Sequence, residues 1–178
     1  MSKVKYKAPK GYQDAMAYLR VADASAAIDF YSAAFGAKEK YRLTMGPRVG
    51  HVELDFGDTR IMLSDEFPEM GIIGPKALGG TSIMLALYVA DADAVFERAI
   101  LAGAKVKRPL TDEFYGDRTG QLEDPFGHVW SIQTRTEDVS PKQMQKRLDA
   151  MMADGAAKTG VKPKPATRTK AKGQRVKP

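Results

Sequence analysis

The chain has 178 residues, 43% of them apolar, with 28 Lys or Arg, 22 Asp or Glu and no cysteine. That length suits one compact domain or two small modules around a packed core. The missing cysteine excludes a disulfide scaffold, thiolate metal sites and a cysteine nucleophile, and it fits a reducing compartment.

Met1 to Gln13 is polar and basic, with no apolar run behind it. No secretory signal and no stretch of membrane-spanning length is seen, so a cytoplasmic protein without membrane association is expected. Residues 1–14 read as an N-terminal arm.

An internal repeat follows. Leu19–Lys40 (LRVADASAAIDFYSAAFGAKEK) and Leu87–Lys107 (LYVADADAVFERAILAGAKVK) both open with Leu-x-Val-Ala-Asp-Ala and close on Gly-Ala-Lys. In each copy a short apolar strand runs up to Val21 or Val89. Asp23 or Asp91 is then placed to cap a helix N-terminus. Apolar residues recur near every 3.6 positions, at Ala27, Ile28, Tyr31 and Phe35, and at Val95, Phe96, Ala99 and Ile100. Gly36 and Gly103 stand where a left-handed helix stop belongs.

Strand signals come after each helix. The first copy has Lys38–Met45, Val49–Phe56 and Thr59–Ser64, with Phe56-Gly57-Asp58 as a hairpin turn. The second has Val106–Leu110, Thr119–Glu123 and Val129–Thr134, with Asp124-Pro125-Phe126-Gly127 as its turn. Each half reads β-α-β-β-β. The modules span residues 15–66 and 81–137, and a Gly- and Pro-containing linker, 67–80, joins them. Its apolar residues suggest that it folds over something. Ser140-Pro141 starts a helix over Pro141–Met152, within a C-terminal segment of 138–155.

Residues 156–178 hold eight Lys or Arg and no acid. Removing those eight from the 28 basic residues leaves 20 against 22 acids, a net of −2 for the rest of the chain. The tail is rich in Lys, Pro, Ala and Thr, buries too little apolar surface to order itself, and reads as disordered. One role for it is weak, non-specific polyanion binding through phosphate neutralisation.

The fold class that follows is α+β: two βαβββ modules forming a curved, half-open mixed β-sheet cup with helices outside. The concave side of such a cup can hold a ligand.

The residues also carry a resemblance. Ala27-Ile28-Asp29-Phe30-Tyr31 in the first helix and Asp124-Pro125-Phe126-Gly127-His128-Val129-Trp130 before the last strand resemble the glyoxalase/bleomycin-resistance/dioxygenase superfamily, also called vicinal oxygen chelate. Gly50-His51-Val52-Glu53-Leu54, the stretch Ile61 to Pro68, and Phe114-Tyr115-Gly116-Asp117-Arg118 are similar to its PhnB-like branch. The resemblance covers roughly Ala15 to Glu137. It implies metal-dependent isomerases, epimerases, dioxygenases and thiol transferases, or metal-free antibiotic-sequestering proteins, and fold does not choose among them. Related proteins are often dimers, so a homodimer is expected.

In metal-dependent members, His or Glu from the first and last strands of each module hold a divalent ion. Carried over, those positions fall on Met16, Met62, Met84 and Ser131 in this chain. Three thioethers and a hydroxyl do not suit Zn, Ni, Mn or Fe(II). No metal and no other cofactor is therefore expected. The alternative is a divalent metal at a non-standard site that includes His51 and Glu53, which share a strand face.

By alternation, Met16 with Tyr18, Met62 with Ser64, Met84 with Ala86, and Ser131 with Gln133 share inward faces. They form an apolar lining with a few polar points. Tyr115 offers a flat ring, and Arg118 a planar fork for a carboxylate, phosphate or phosphonate, paired or oriented by Asp117. Trp130 reads as core. His128 reads as a residue of the turn.

The expected function is metal-free sequestration of an aromatic or hydrophobic small molecule, an antibiotic among the candidates. The expected ligand-binding residues are Met16, Tyr18, Met62, Ser64, Met84, Tyr115, Asp117, Arg118 and Ser131. One alternative is a lyase, isomerase or dioxygenase with a relocated metal, or metal-free acid–base chemistry by His128 and Asp117. Another is an interaction protein driven by the tail.

Overall fold

The structure is a computed structural model that describes residues 8, 9 and 11–159. Among the described residues, eight strands and four α-helices occur, in two βαβββ runs followed by a last helix. The first run is β1 (Tyr18–Val21), α1 (Ala24–Phe35), β2 (Lys38–Met45), β3 (Arg48–Phe56) and β4 (Thr59–Asp65). A 3-10 turn over Pro68–Met70 and a short α2 (Pro75–Leu78) connect it to β5 (Met84–Tyr88), α3 (Ala92–Leu101), β6 (Lys105–Asp112), β7 (Asp117–Glu123) and β8 (Val129–Arg135).

The helix boundaries obey the local signals. Asp23 and Asp91 are both extended N-caps, and their carboxylates accept from Ala26 N and Ala94 N. Gly36 closes α1 in the left-handed conformation, with φ 71°. A β-carbon there would meet no atom, so the demand is on the backbone angle alone.

Each run folds into a four-stranded mixed sheet, in the orders β1-β4-β3-β2 and β5-β8-β7-β6. The first pair of each is parallel, Tyr18 facing Met62 in one and Ala86 facing Ser131 in the other. The two sheets are not closed on each other. The fold is therefore α+β, with two repeated modules, as the sequence predicts. The parallel registers also settle the equivalence of Met62 and Ser131: each stands beside the matching residue of its module's first strand.

One face of each sheet carries its helix, and α1 packs against α3. A single core results, drawing Val21, Val52, Leu54 and Leu63 from one module and Ala99, Leu122, Trp130 and Ile132 from the other. Aromatic rings join the halves. Trp130 lies 4.8 Å from Phe35, 5.4 Å from Tyr31 and 5.6 Å from Phe56. Tyr31 also donates to Asp124 Oδ2 at 2.7 Å. Trp130 is thus core, as expected.

The linker does fold over something. Phe67 is buried, and Gly74 lies against the end of β1, where a β-carbon would come within 2.5 Å of the Arg20 carbonyl. Glu66 fixes that approach by accepting from Gly74 N, and Asp65 accepts from Ala24 N and Val49 N. These two carboxylates are structural ties of backbone.

Among the described residues, Val139 to Thr159 form a separate unit. Its helix, α4 (Pro141–Thr159), starts with a reciprocal cap: Ser140 N donates to Gln143 Oε1, and Gln143 N donates to Ser140 Oγ. The helix runs on to Thr159, past Met152 and into the stretch read as disordered. The rest of the basic tail lies outside the described residues. Among the described residues, no helix is long and apolar enough to cross a membrane.

Candidate functional site

The helix-free face of the first sheet carries Tyr18 and Arg20 on β1, Met62 and Ser64 on β4, His51 and Glu53 on β3, and Tyr41 and Leu43 on β2. The pairings Tyr18–Met62, Arg20–Ser64, Glu53–Met62, Tyr41–Glu53 and Leu43–His51 put them side by side. Glu53 is the hub. It is 1% exposed, and its Oε1 accepts from Tyr12 and Tyr41 hydroxyls at 2.6 and 2.7 Å. Its Oε2 lies 3.2 Å from Arg60 Nη1, in ionic contact but off the line of a hydrogen bond. Burial pushes the Glu53 carboxyl up, but the tyrosine and His51 hydrogen bonds and the Arg60 charge outweigh it, so its pKa is lowered. The same bond drives the Tyr41 phenol well above its ordinary value.

His51 and Glu53 are both engaged within this face. His51 Nε2 is 3.5 Å from Glu53 Oε1, which already takes two phenols. Its Nδ1 is engaged by the Tyr18 hydroxyl at 2.8 Å. Among the described residues, no three His, Cys, Asp or Glu side chains gather as metal ligands. At the four positions where the family resemblance places ligands stand Met16, Met62, Met84 and Ser131. Ser131 Oγ is committed to Thr119 and Gln133. These donors do not fit a hard or borderline divalent ion, which takes imidazole and carboxylate.

The second sheet's helix-free face holds Met84, Ala86 and Tyr88 on β5, Ser131 and Gln133 on β8, and Asp117 and Thr119 on β7. Asp117 is 2% exposed and accepts from Tyr88 Oη at 2.8 Å and from the Arg135 guanidinium. Asp117 does not orient Arg118, because strand alternation sends the two to opposite faces. Arg118 points to α3, where Nε and Nη2 grip the Asp93 carboxylate at 2.6 Å each, with Asp112 at 3.3 Å. Its fork is occupied from within. Tyr115 is half-buried beside Phe114, 5.1 Å ring to ring, and burial and Glu113 raise its phenol pKa.

The nine expected binding residues therefore divide. Tyr18, Met62 and Ser64 share one sheet face, and Met84, Asp117 and Ser131 share the other. Arg118 lies on a helix side, and Tyr115 on the turn before β7. Met16 enters a crevice of about 310 Å³ between the β1 and β5 edges, with Ala17, Phe56, Leu85, Tyr88 and Trp130.

His128 belongs to the turn through its backbone N–H, which donates to Asp124 Oδ1, while its imidazole reaches the other module. Its Nε2 lies 3.0 Å from the Arg20 carbonyl, which can only accept, so Nε2 carries the proton and ties β8 to β1. Sequence reasoning passed over Arg20, Tyr41 and Tyr88. Alternation from Tyr18 and Ala86 was the signal for Arg20 and Tyr88. Nothing local marked Tyr41, whose strand is bulged.

The Glyoxalase/Bleomycin resistance protein/Dioxygenase superfamily matches residues 13–132. Uncharacterised proteins of Mycobacterium bovis and Mycobacterium tuberculosis are 40% identical over 138 residues, 75% of this chain and 90% or 81% of theirs. Among solved structures, TioX from Micromonospora sp. ML1 is 27% identical, with a TM-score of 0.55 over 69% of this chain and 99% of that one. The fosfomycin resistance protein FosX from Mesorhizobium loti shares the fold at 17% identity, with a TM-score of 0.52 over 77% of this chain and 97% of its own.

Proposed function

Since the chain belongs to the glyoxalase/bleomycin resistance protein/dioxygenase superfamily, we propose that it is a metal-free cytoplasmic protein that binds and sequesters an aromatic or hydrophobic small molecule. The carrying observation is the chemistry at the family's ligand positions. Met16, Met62, Met84 and Ser131 supply polarisable and apolar surface where catalysis needs hard donors. The crevice beside Met16, lined by Trp130, Tyr88 and Phe56, has about the volume of a small-ligand pocket and is largely apolar. One protein that shares its fold, at 17% identity, is a fosfomycin resistance protein, which makes an antibiotic one candidate ligand. A homodimer is part of this reading. Strand β2 is exposed along its whole length, with Leu43 and Met45 more than half exposed, an open apolar edge that a second copy would cover.

Two measurements test the reading. Elemental mass spectrometry on protein purified without nickel affinity should find far less than one metal per chain. Trp130 is the chain's one tryptophan, so aromatic antibiotics and metabolites entering the crevice should change its fluorescence saturably. Stoichiometric metal would overturn the metal-free reading and redirect attention to His51 and Glu53.

A further inference from the structure

Six arginines of the two modules are committed to carboxylates: Arg42, Arg48, Arg60, Arg108, Arg118 and Arg135. Arg20 is built differently. It is half-buried on the open face of β1, and among the described residues no carboxylate lies within ion-pair distance of it. Its neighbours fix it without neutralising it. Nη1 donates to Ser64 Oγ at 2.8 Å, and the guanidinium carbon sits 4.0 Å from the centre of the Tyr18 ring. That ring is held in turn by its hydroxyl bond to His51. The nearby Glu66 carboxylate is spent on Gly74 N.

Arg20 and Tyr18 line a groove of about 300 Å³, whose other wall is Ile73 and Leu78 of the linker with Ile83 just before β5. Leu78 is 65% and Ile83 69% exposed, so the apolar wall is open. The combination is an oriented planar cation at one end and uncovered aliphatic surface at the other. A half-buried guanidinium is less screened than a surface one, and its stacked, bonded geometry leaves little ordering cost on binding.

We propose that this groove is a binding site for an aromatic carboxylate, with Arg20 as the anion-recognition residue and Tyr18 and His51 as positioning residues. The proposal rests on the small-molecule reading above and adds to the Met16 crevice a second groove, which selects acids. A carboxylate's two oxygens match the free part of the guanidinium fork, and a flat apolar body matches the linker wall.

The test uses the full chain and a matched pair of probes, 2-naphthoate and 2-naphthamide, which share shape and differ in charge. Each is titrated into nitrogen-15-labelled wild type, Arg20→Gln and Arg20→Lys, following amide shifts of Tyr18, Ser64 and Ile83. Wild type should bind naphthoate about tenfold more tightly than naphthamide. Arg20→Gln should abolish that preference, and Arg20→Lys should keep only part of it. Preserved dispersion of the remaining amide signals establishes that the variants are folded. Equal affinity for both probes in wild type, or a naphthoate preference surviving in Arg20→Gln, overturns the anion site but leaves small-molecule binding in place. Shifts confined to other residues overturn it as well. If neither probe binds anywhere and the Trp130 screen is also silent, the small-molecule reading fails with it.

Discussion

Replacing Asp124 by Asn probes how the two modules are held together. Asp124 is 3% exposed and accepts four hydrogen bonds. Oδ1 takes Phe126 N and His128 N, both at 2.9 Å, and Oδ2 takes Tyr31 Oη at 2.7 Å and Trp130 Nε1 at 2.9 Å. The two backbone donors of the turn cannot turn away, so the Asn carbonyl must stay at Oδ1. Its amide then replaces Oδ2. The Tyr31 hydroxyl can rotate and accept, but the indole N–H cannot. One buried donor is left facing another donor, and the remaining bonds lose their ionic character. Leaving a buried donor unmatched costs about 1–3 kcal/mol, and a bond to a charged acceptor contributes about 1.5–3 kcal/mol. A total near 3 kcal/mol is expected for Asp124→Asn and about 1.5 kcal/mol for Tyr31→Phe. The double variant should lose less than the sum, since the two share one bond. Urea unfolding followed by Trp130 fluorescence reads all three. Because Trp130 also lines the crevice, Asp124→Asn should weaken crevice ligands as well. Stability within about 0.5 kcal/mol of wild type would refute the account of Asp124 as the hub joining the modules.

The Glu53 cluster makes stability depend on pH. Its folded pKa is lowered from 4.5, so its contribution is complete above that value and is lost as pH falls through the folded value. Glu53→Gln should cost about 1 kcal/mol at pH 7, since the cluster is partly open to water. The gap from wild type should close in urea titrations below pH 4.5; a gap independent of pH would remove the carboxylate from the argument. For the homodimer, sedimentation at micromolar concentration should give twice the chain mass. Leu43→Lys with Met45→Lys should shift it toward the single chain, and a wild-type monomer would contradict the β2 edge as the interface.

The repeat, the α+β class and the order of the strands were legible because they rest on local chemistry. The Asp23 and Asp91 caps, the Gly36 stop, the hairpin turns and the apolar period each act within a few residues, and they occur twice. The matching of Met62 in one module with Ser131 in the other was legible too, since alternation and the repeat align those positions without coordinates. Partner choice was not. Arg118 and Arg20 look alike as sequence, each on a strand in reach of a tyrosine and an acid. Which guanidinium is neutralised depends on the carboxylates that folding brings near. Asp93 on α3 reaches Arg118, while Arg20 meets Ser64, the Tyr18 ring and the linker. His128 likewise finds its partner on the other module, 108 residues away. Ion pairs and hydrogen bonds across modules are set by packing of the helix faces, and packing is a property of the whole chain.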